Sequence, residues 1–368
     1  MRFGEAIERE RLRALLQPGR GIDTVITADV YGEGDADRLL GEAIAGTPRD
    51  RFSLVGAIGH DFYEGTREGA KGFPRFTDPR LREERDFAGY IRMAVERSLQ
   101  RLGVERFDLL LLHNPDRTGY TSEAVWEGMR AVREQGLTGA LGVAPGPANG
   151  FTLDLIDCVE RFAEVIDWAM IIFSPMEPWP GELVLDAAAR HGVKLIARVV
   201  DYGGVFHDDV KPGHEFAEYD HRKFRPQGWV EAGVNKLERM RPYAKRHDLT
   251  MLQLACQWDL AQAAVHCVVP TLIQERGVGK DHEQGADARP VEDKRAELAA
   301  LPAENLLSVE EVAELRAIGD NSGSMALKGA SLEHEGEPKA DRWPLSDDLR
   351  ALADRWSIAP ERELVKAG

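Results

Sequence analysis

Seven short apolar runs, most of them followed by a stretch with helical apolar spacing, constrain the fold of this chain more than any other feature. The runs are residues 24–27, 52–58, 107–113, 140–143, 168–173, 193–199 and 266–269. They are rich in Val, Ile, Leu and Phe and short enough to be buried strands. Residues 88–102 and 123–134 carry apolar side chains at three- and four-residue spacing, as an amphipathic helix does. Residues 183–191 run into Gly192, a helix stop. Thr250 is placed to cap a helix over 251–260, with Gln253 at the reciprocal capping position. Strand–helix alternation at this spacing predicts parallel strands joined by crossover helices. At 368 residues, the α/β expectation is one barrel.

Residues 1–320 are expected to form that barrel and 321–368 a charged tail packed on it, with Trp343 and Trp356 as apolar anchors. Two long insertions, 60–82 and 202–229, follow the second and sixth strands. They are therefore expected at the carboxyl mouth, where barrel enzymes build their sites. A third, polar insertion covers 276–289.

The net charge of −16 argues against nucleic acid, which needs a basic surface. No apolar run approaches the ~20 residues that span a bilayer. Met1–Arg2–Phe3–Gly4–Glu5 has no signal-like pattern, and a cytoplasmic location is the expectation. Cys158, Cys256 and Cys267 lie in apolar segments and read as buried thiols. His207, Asp208, Asp209, His214 and Glu215 have the composition of metal ligands, but their spacing matches no specific site, and no metal is expected.

Two strand ends carry the chemistry. Thr27-Ala28-Asp29-Val30-Tyr31-Gly32, with the helix-like segment after it, resembles the tyrosine segment of the aldo-keto reductases. Phe107-Asp108-Leu109-Leu110-Leu111-Leu112-His113-Asn114-Pro115-Asp116 resembles their histidine strand. The resemblance covers about residues 20–320 and implies a (β/α)8 TIM-type barrel with long loops at its carboxyl mouth. Seven strands are counted, so either the chain starts late relative to the family's first barrel strand or the barrel closes differently.

The resemblance also implies NADP(H)-dependent reduction of a small or sugar-like carbonyl substrate. Tyr31 would exchange the proton at the carbonyl oxygen and His113 would orient that oxygen. In the family a lysine, paired to an aspartate, lowers the tyrosine's pKa. Here those positions are Ala57 and Ile26. Both members of a mutual pair are gone, so no buried charge is left uncompensated. Tyr31 has lost its usual activator, and His113 or His60 is expected to carry more of the proton transfer because histidine titrates near neutrality. Lys71 is a weaker stand-in. Asp29, Asp61, Arg198 and Asp201 are candidate substrate contacts.

The family's cofactor segments are altered. Ala144 and Met170 stand where hydrogen-bonding side chains hold the carboxamide, so NADP(H) is expected to bind weakly or not at all. Phe173 aligns with the tyrosine that stacks on the nicotinamide. Asn149, Arg289 and Arg295 are the remaining candidate cofactor contacts. The alternatives are a non-redox acid–base enzyme on the same barrel (a lyase, dehydratase or isomerase) and a non-catalytic binding barrel. Substrate identity and oligomeric state are open at this point.

Overall fold

In the computed structural model the chain is described at residues 8–19, 21–68, 72–146, 152–216, 220, 222, 225, 227–273, 289–321 and 346–360. Seven strands form one parallel sheet in sequence order: β1 Thr24–Ile26, β2 Ser53–Ile58, β3 Phe107–His113, β4 Thr138–Ala144, β5 Trp168–Ile172, β6 Lys194–Arg198 and β7 Val265–Val269. The helices used below are α1 Arg9–Leu16, α2 Asp35–Ile44, α3 Phe87–Leu102, α4 Glu123–Glu134, α5 Thr152–Arg161, α6 Leu185–His191, α7 Trp229–Arg246, α8 Met251–Leu260, α9 Val291–Ala299, α10 Val309–Gly319 and α11 Asp347–Arg355. The fold is a TIM-type α/β barrel of seven described strands. No described residue of β1 pairs with β7.

Strand alternation separates two apolar layers. On β2 and β3, Leu54, Ile58, Leu110 and Leu112 point outward and join the large core beneath the helices. Val55, Ala57, Leu109 and Leu111 point inward and form the barrel interior with Ala28, Ala144 and Ile196; Ile26, Met170, Cys267 and Val269 pack against them. The two expected replacements, Ile26 and Ala57, therefore line the same interior. Thr250 and Gln253 make the full capping box at the start of α8. The carbonyls of Leu15 and Gln17, at the end of α1, accept from Arg295 on α9. The tail helix α11 is tied to α5 through Arg355 and Trp356, both bonded to Glu160.

Where β1 and β7 stay unpaired, a cavity of about 890 Å³ opens beside the barrel. Ile26, Val55, Trp168 and Cys267 reach it from the interior, Leu39 comes from α2 and Leu298 from α9. Tyr31 also lines it, so this lateral space runs up to the mouth.

Candidate active site

His113 has the same parity on β3 as Leu109 and Leu111, so its side chain turns inward at the strand's carboxyl end. Tyr31 begins the turn after β1 and packs against the interior cluster. Their rings meet edge to face with centroids 5.6 Å apart. One mouth therefore holds both, as the sequence predicts. His60 joins them from the end of β2, its ring centroid 5.3 Å from that of His113. Gly59 makes this approach possible, because a Cβ there would run into the His113 carbonyl.

The first insertion folds back to hold His60. The Asp61 amide donates to Pro74, the Phe76 amide donates to Gly59, and His60 bridges to Arg75. His60 Nδ1 lies 2.9 Å from the Phe73 carbonyl and Nε2 lies 3.1 Å from Asn114 Nδ2. The consistent tautomer has Nδ1 donating to Phe73 and Nε2 accepting from Asn114. Arg75 Nη1, 3.2 Å from Nδ1, is then a close cation and not a donor to it. Arg75 Nε donates to the Asn114 carbonyl.

These contacts decide the protonation states. Burial and the Arg75 charge push His60 down to about 4. Burial, His60, Arg198 and Arg75 hold His113 well below its ordinary value. Both imidazoles are neutral at neutral pH. Burial raises Tyr31 above its ordinary value, opposed by the charge of Arg198. Tyr31 is thus a protonated phenol, and Arg198 is the cation acting on it in place of the missing lysine.

The folded protein resists protonating His60, whereas an unfolded histidine takes a proton near 6.5. Between about 4 and 6.5 the unfolded state binds more protons, so this contribution to stability is lost as pH falls through that window. The melting temperature should drop between pH 7 and pH 5, and His60→Asn should make the drop shallower. An equal drop in both proteins would show that His60 does not titrate in this way.

The other substrate candidates separate sharply. Arg198 shares the inward parity of Ile196 and reaches the mouth, its Nη2 donating to the Pro145 and Gly146 carbonyls at 2.9 Å each. Asp29 does not face the mouth. It alternates outward with Val25 and Thr27 toward Asp37, which accepts from Thr27, Ser98 and Arg101. Asp61 is fully buried, accepting the Tyr63 and Glu64 amides and pairing with Arg82, so it pins the insertion. Asp201 accepts from the Thr271 and Gly204 amides and ties the ends of β6 and β7 together. Both are structural because buried carboxylates need donors, and backbone amides supply them.

The cofactor candidates fare differently. Phe173 has the outward parity of Ile171 and lies in the outer core 5.1 Å from Trp258, so it cannot stack at the mouth. Arg295 is spent on α1. Arg289 bonds Glu297 and the His207 carbonyl. It also lines a cavity of about 300 Å³ with Arg241, Lys245, Asp208 and Glu297, where both arginines are paired to those carboxylates. Asn149 and Lys71 lie outside the described residues. Ala144 and Met170 face the interior and offer a carboxamide no side-chain hydrogen bond. The described residues thus offer a dinucleotide no side-chain anchor at its carboxamide.

His207 bonds the Thr271 carbonyl, Asp208 pairs with Arg241 and Asp209 with Lys294. No group of metal-ligating side chains occurs among the described residues. No described helix is long and apolar enough to cross a membrane. Sequence reasoning missed Arg75 and Asn114. Asn114 directly follows His113 and could have been drawn in by adjacency. Arg75 sits in a Gly- and Pro-rich insertion whose course no periodicity reports.

The sequence profile of the Aldo/keto reductase family matches residues 3–276. The D-threo-aldose 1-dehydrogenase of Pseudomonas sp is 26% identical over 263 residues, 68% of this chain and 74% of that protein. A probable aldo-keto reductase 1 of Glycine max is 24% identical over 86% of this chain and 81% of its own length. Among solved structures, the glycerol dehydrogenase of Gluconobacter oxydans superposes with a TM-score of 0.62 at 20% identity, covering 90% of this chain and 87% of that one. An aldo-keto reductase of Klebsiella pneumoniae in complex with NADPH gives 0.52 at 20% identity, covering 84% of each chain.

Proposed function

The chain belongs to the aldo/keto reductase family, and from that membership we propose that it is an enzyme reducing a small carbonyl compound with NADP(H), Tyr31 being the proton donor. The observation that carries this reading is the edge-to-face pair of Tyr31 and His113 at 5.6 Å, with Arg198 acting on the phenol. Tyr31 holds its proton at neutral pH and can hand it to a carbonyl oxygen. Arg198 stabilises the phenolate that remains. His113, kept neutral, orients the oxygen, and Asn114 and Phe73 hold His60 as a fixed wall beside it. The hydride is the chemistry NADPH supplies when bound. Because Tyr31 is raised, reduction is favoured over oxidation near neutrality, since oxidation needs the phenolate.

NADPH is expected to bind weakly. Two missing carboxamide bonds at ~0.5–1.5 kcal/mol each correspond to roughly a tenfold to hundredfold loss. Fluorescence quenching should give a micromolar constant, and NADPH should be oxidised in the presence of aldehydes or ketones. If the folded protein neither binds NADPH nor oxidises it with any member of a broad carbonyl panel, the reductase reading fails. Non-redox acid–base chemistry at Tyr31 then takes its place.

A further inference from the structure

We propose that Arg75 and Arg198 form an oxyanion-recognition site at the barrel mouth, so that the substrate is a carbonyl compound carrying a carboxylate or phosphate group. The inference rests on the reductase reading and narrows it to a substrate class.

Charge pairing sets these two arginines apart. Elsewhere in the molecule, enclosed arginines meet carboxylates: Arg82 with Asp61, Arg101 with Asp37, Arg222 with Asp220 and Arg225 with Glu177. The chain has 63 acidic residues against 47 basic ones, so partners are plentiful. Yet neither Arg75 nor Arg198 forms an ion pair with any described residue. Asp116, the carboxylate whose charge acts on Arg75, is committed to the Gly119 amide and the Thr77 hydroxyl. Asp29, two residues before Tyr31, is turned to the outer layer. A guanidinium taken from water without a counter-charge is costly.

Their donors are arranged unevenly. Arg198 spends Nη2 on two carbonyls, which fixes the guanidinium, and leaves its enclosed Nε without a partner. Val199, directly after it, takes a φ of 63°, a conformation that β-branched residues rarely adopt. Such strain persists where the surroundings demand it. Here it accompanies the strand end that delivers Arg198. Arg75 approaches through the β2 insertion, its Nε donating to the Asn114 carbonyl and its Nη1 lying 3.2 Å from His60 Nδ1. The charges of both arginines act on His113, and that of Arg198 also acts on Tyr31. An oxyanion beside the carbonyl would supply the absent counter-charge, and a guanidinium is the side chain best shaped to hold it.

The test compares matched pairs, pyruvate with methyl pyruvate and glyceraldehyde 3-phosphate with glyceraldehyde. NADPH oxidation is followed with the wild-type chain, Arg75→Gln and Arg198→Gln. The wild type should favour at least one charged member by roughly tenfold to a hundredfold in kcat/KM, the range of a charge-assisted bond. Each variant should bring that ratio toward one, whatever its absolute rate. A wild-type ratio near one in both pairs, or one favouring the neutral members, overturns the proposal. Should a glutamine variant fail to melt cooperatively, the lysine variants serve instead and should keep part of the preference. Calorimetry with pyruvate and inorganic phosphate, with and without NADPH, separates the sources. Binding that persists at saturating NADPH and weakens at least about tenfold in Arg198→Gln supports a substrate site. Binding that NADPH abolishes assigns the arginines to the cofactor's phosphates and overturns the proposal. If no carbonyl is reduced, the reductase reading fails alone, and calorimetry still decides the anion site: no binding of either anion by the wild type overturns it.

Discussion

Replacing Tyr31 with phenylalanine is expected to lower carbonyl reduction by about 10²–10⁴-fold, the usual worth of a positioned general acid. The melting temperature should change little, because the ring contact with His113 remains. The size of the effect follows from the protonation states at the mouth. His60 and His113 are held neutral by burial and by two arginines. Within the described site, only the Tyr31 hydroxyl then combines a transferable proton at neutral pH with a nearby cation to stabilise its conjugate base. Single-turnover NADPH oxidation with a reactive aldehyde isolates the chemical step. A Tyr31→Phe protein that binds NADPH and keeps more than about a tenth of the wild-type rate would contradict the assignment. It would leave the histidines, despite their lowered pKa values, as the proton source.

Placing a lysine at Ala57 is the second large expected effect. Ala57 is almost fully enclosed in the barrel interior among Val55, Leu109 and Leu111. An uncompensated ammonium there should cost about 3–5 kcal/mol, or on the order of 10 °C in melting temperature for a chain of this size. Ile26→Asp should cost less. Ile26 lines the lateral cavity between β1 and β7, through which water can reach a carboxylate. The double variant should recover much of the loss and, by restoring a second cation near Tyr31, raise reduction, though repulsion from Arg198 limits the gain. Thermal unfolding of both single variants and the double variant tests the ordering. If Ala57→Lys is no worse than Ile26→Asp, the lateral cavity admits water deeper than the packing indicates. If the double variant folds and binds NADPH without faster reduction, Arg198 already performs the lysine's part.

The order of strands and helices was legible because each depends on local periodicity. The strand 107–113 and the helix 123–134 match the structure end for end, and the capping box at Thr250 is a pattern of four consecutive residues. Tyr31 and His113 were legible because their segments resemble those of the aldo-keto reductases, and both follow or end strands whose carboxyl ends face the mouth. Asp29, Phe173 and Arg198 show where adjacency misleads or succeeds. All three lie at or near strand ends, yet a side chain's face is set by its parity, which sends Asp29 and Phe173 outward and Arg198 inward. That parity was readable in principle from the apolar neighbours on each strand.

Other decisions belong to tertiary structure alone. That Asp61 and Asp201 are consumed by backbone amides depends on how two loops close, and each closure involves residues distant in sequence. Arg75 comes within 3.2 Å of His60, fifteen positions away in sequence, and Gly59 lets two strand ends touch. The low pKa values of the histidines arise from burial and from charges on separate strands and loops. The sequence by itself determined the strand–helix order, because periodicity is written locally, and the tyrosine–histidine pair, because two short segments resemble those of the family. Only the tertiary structure decided which cations meet that pair and which carboxylates are kept from it, because long-range contacts and desolvation exist only once the chain has closed on itself.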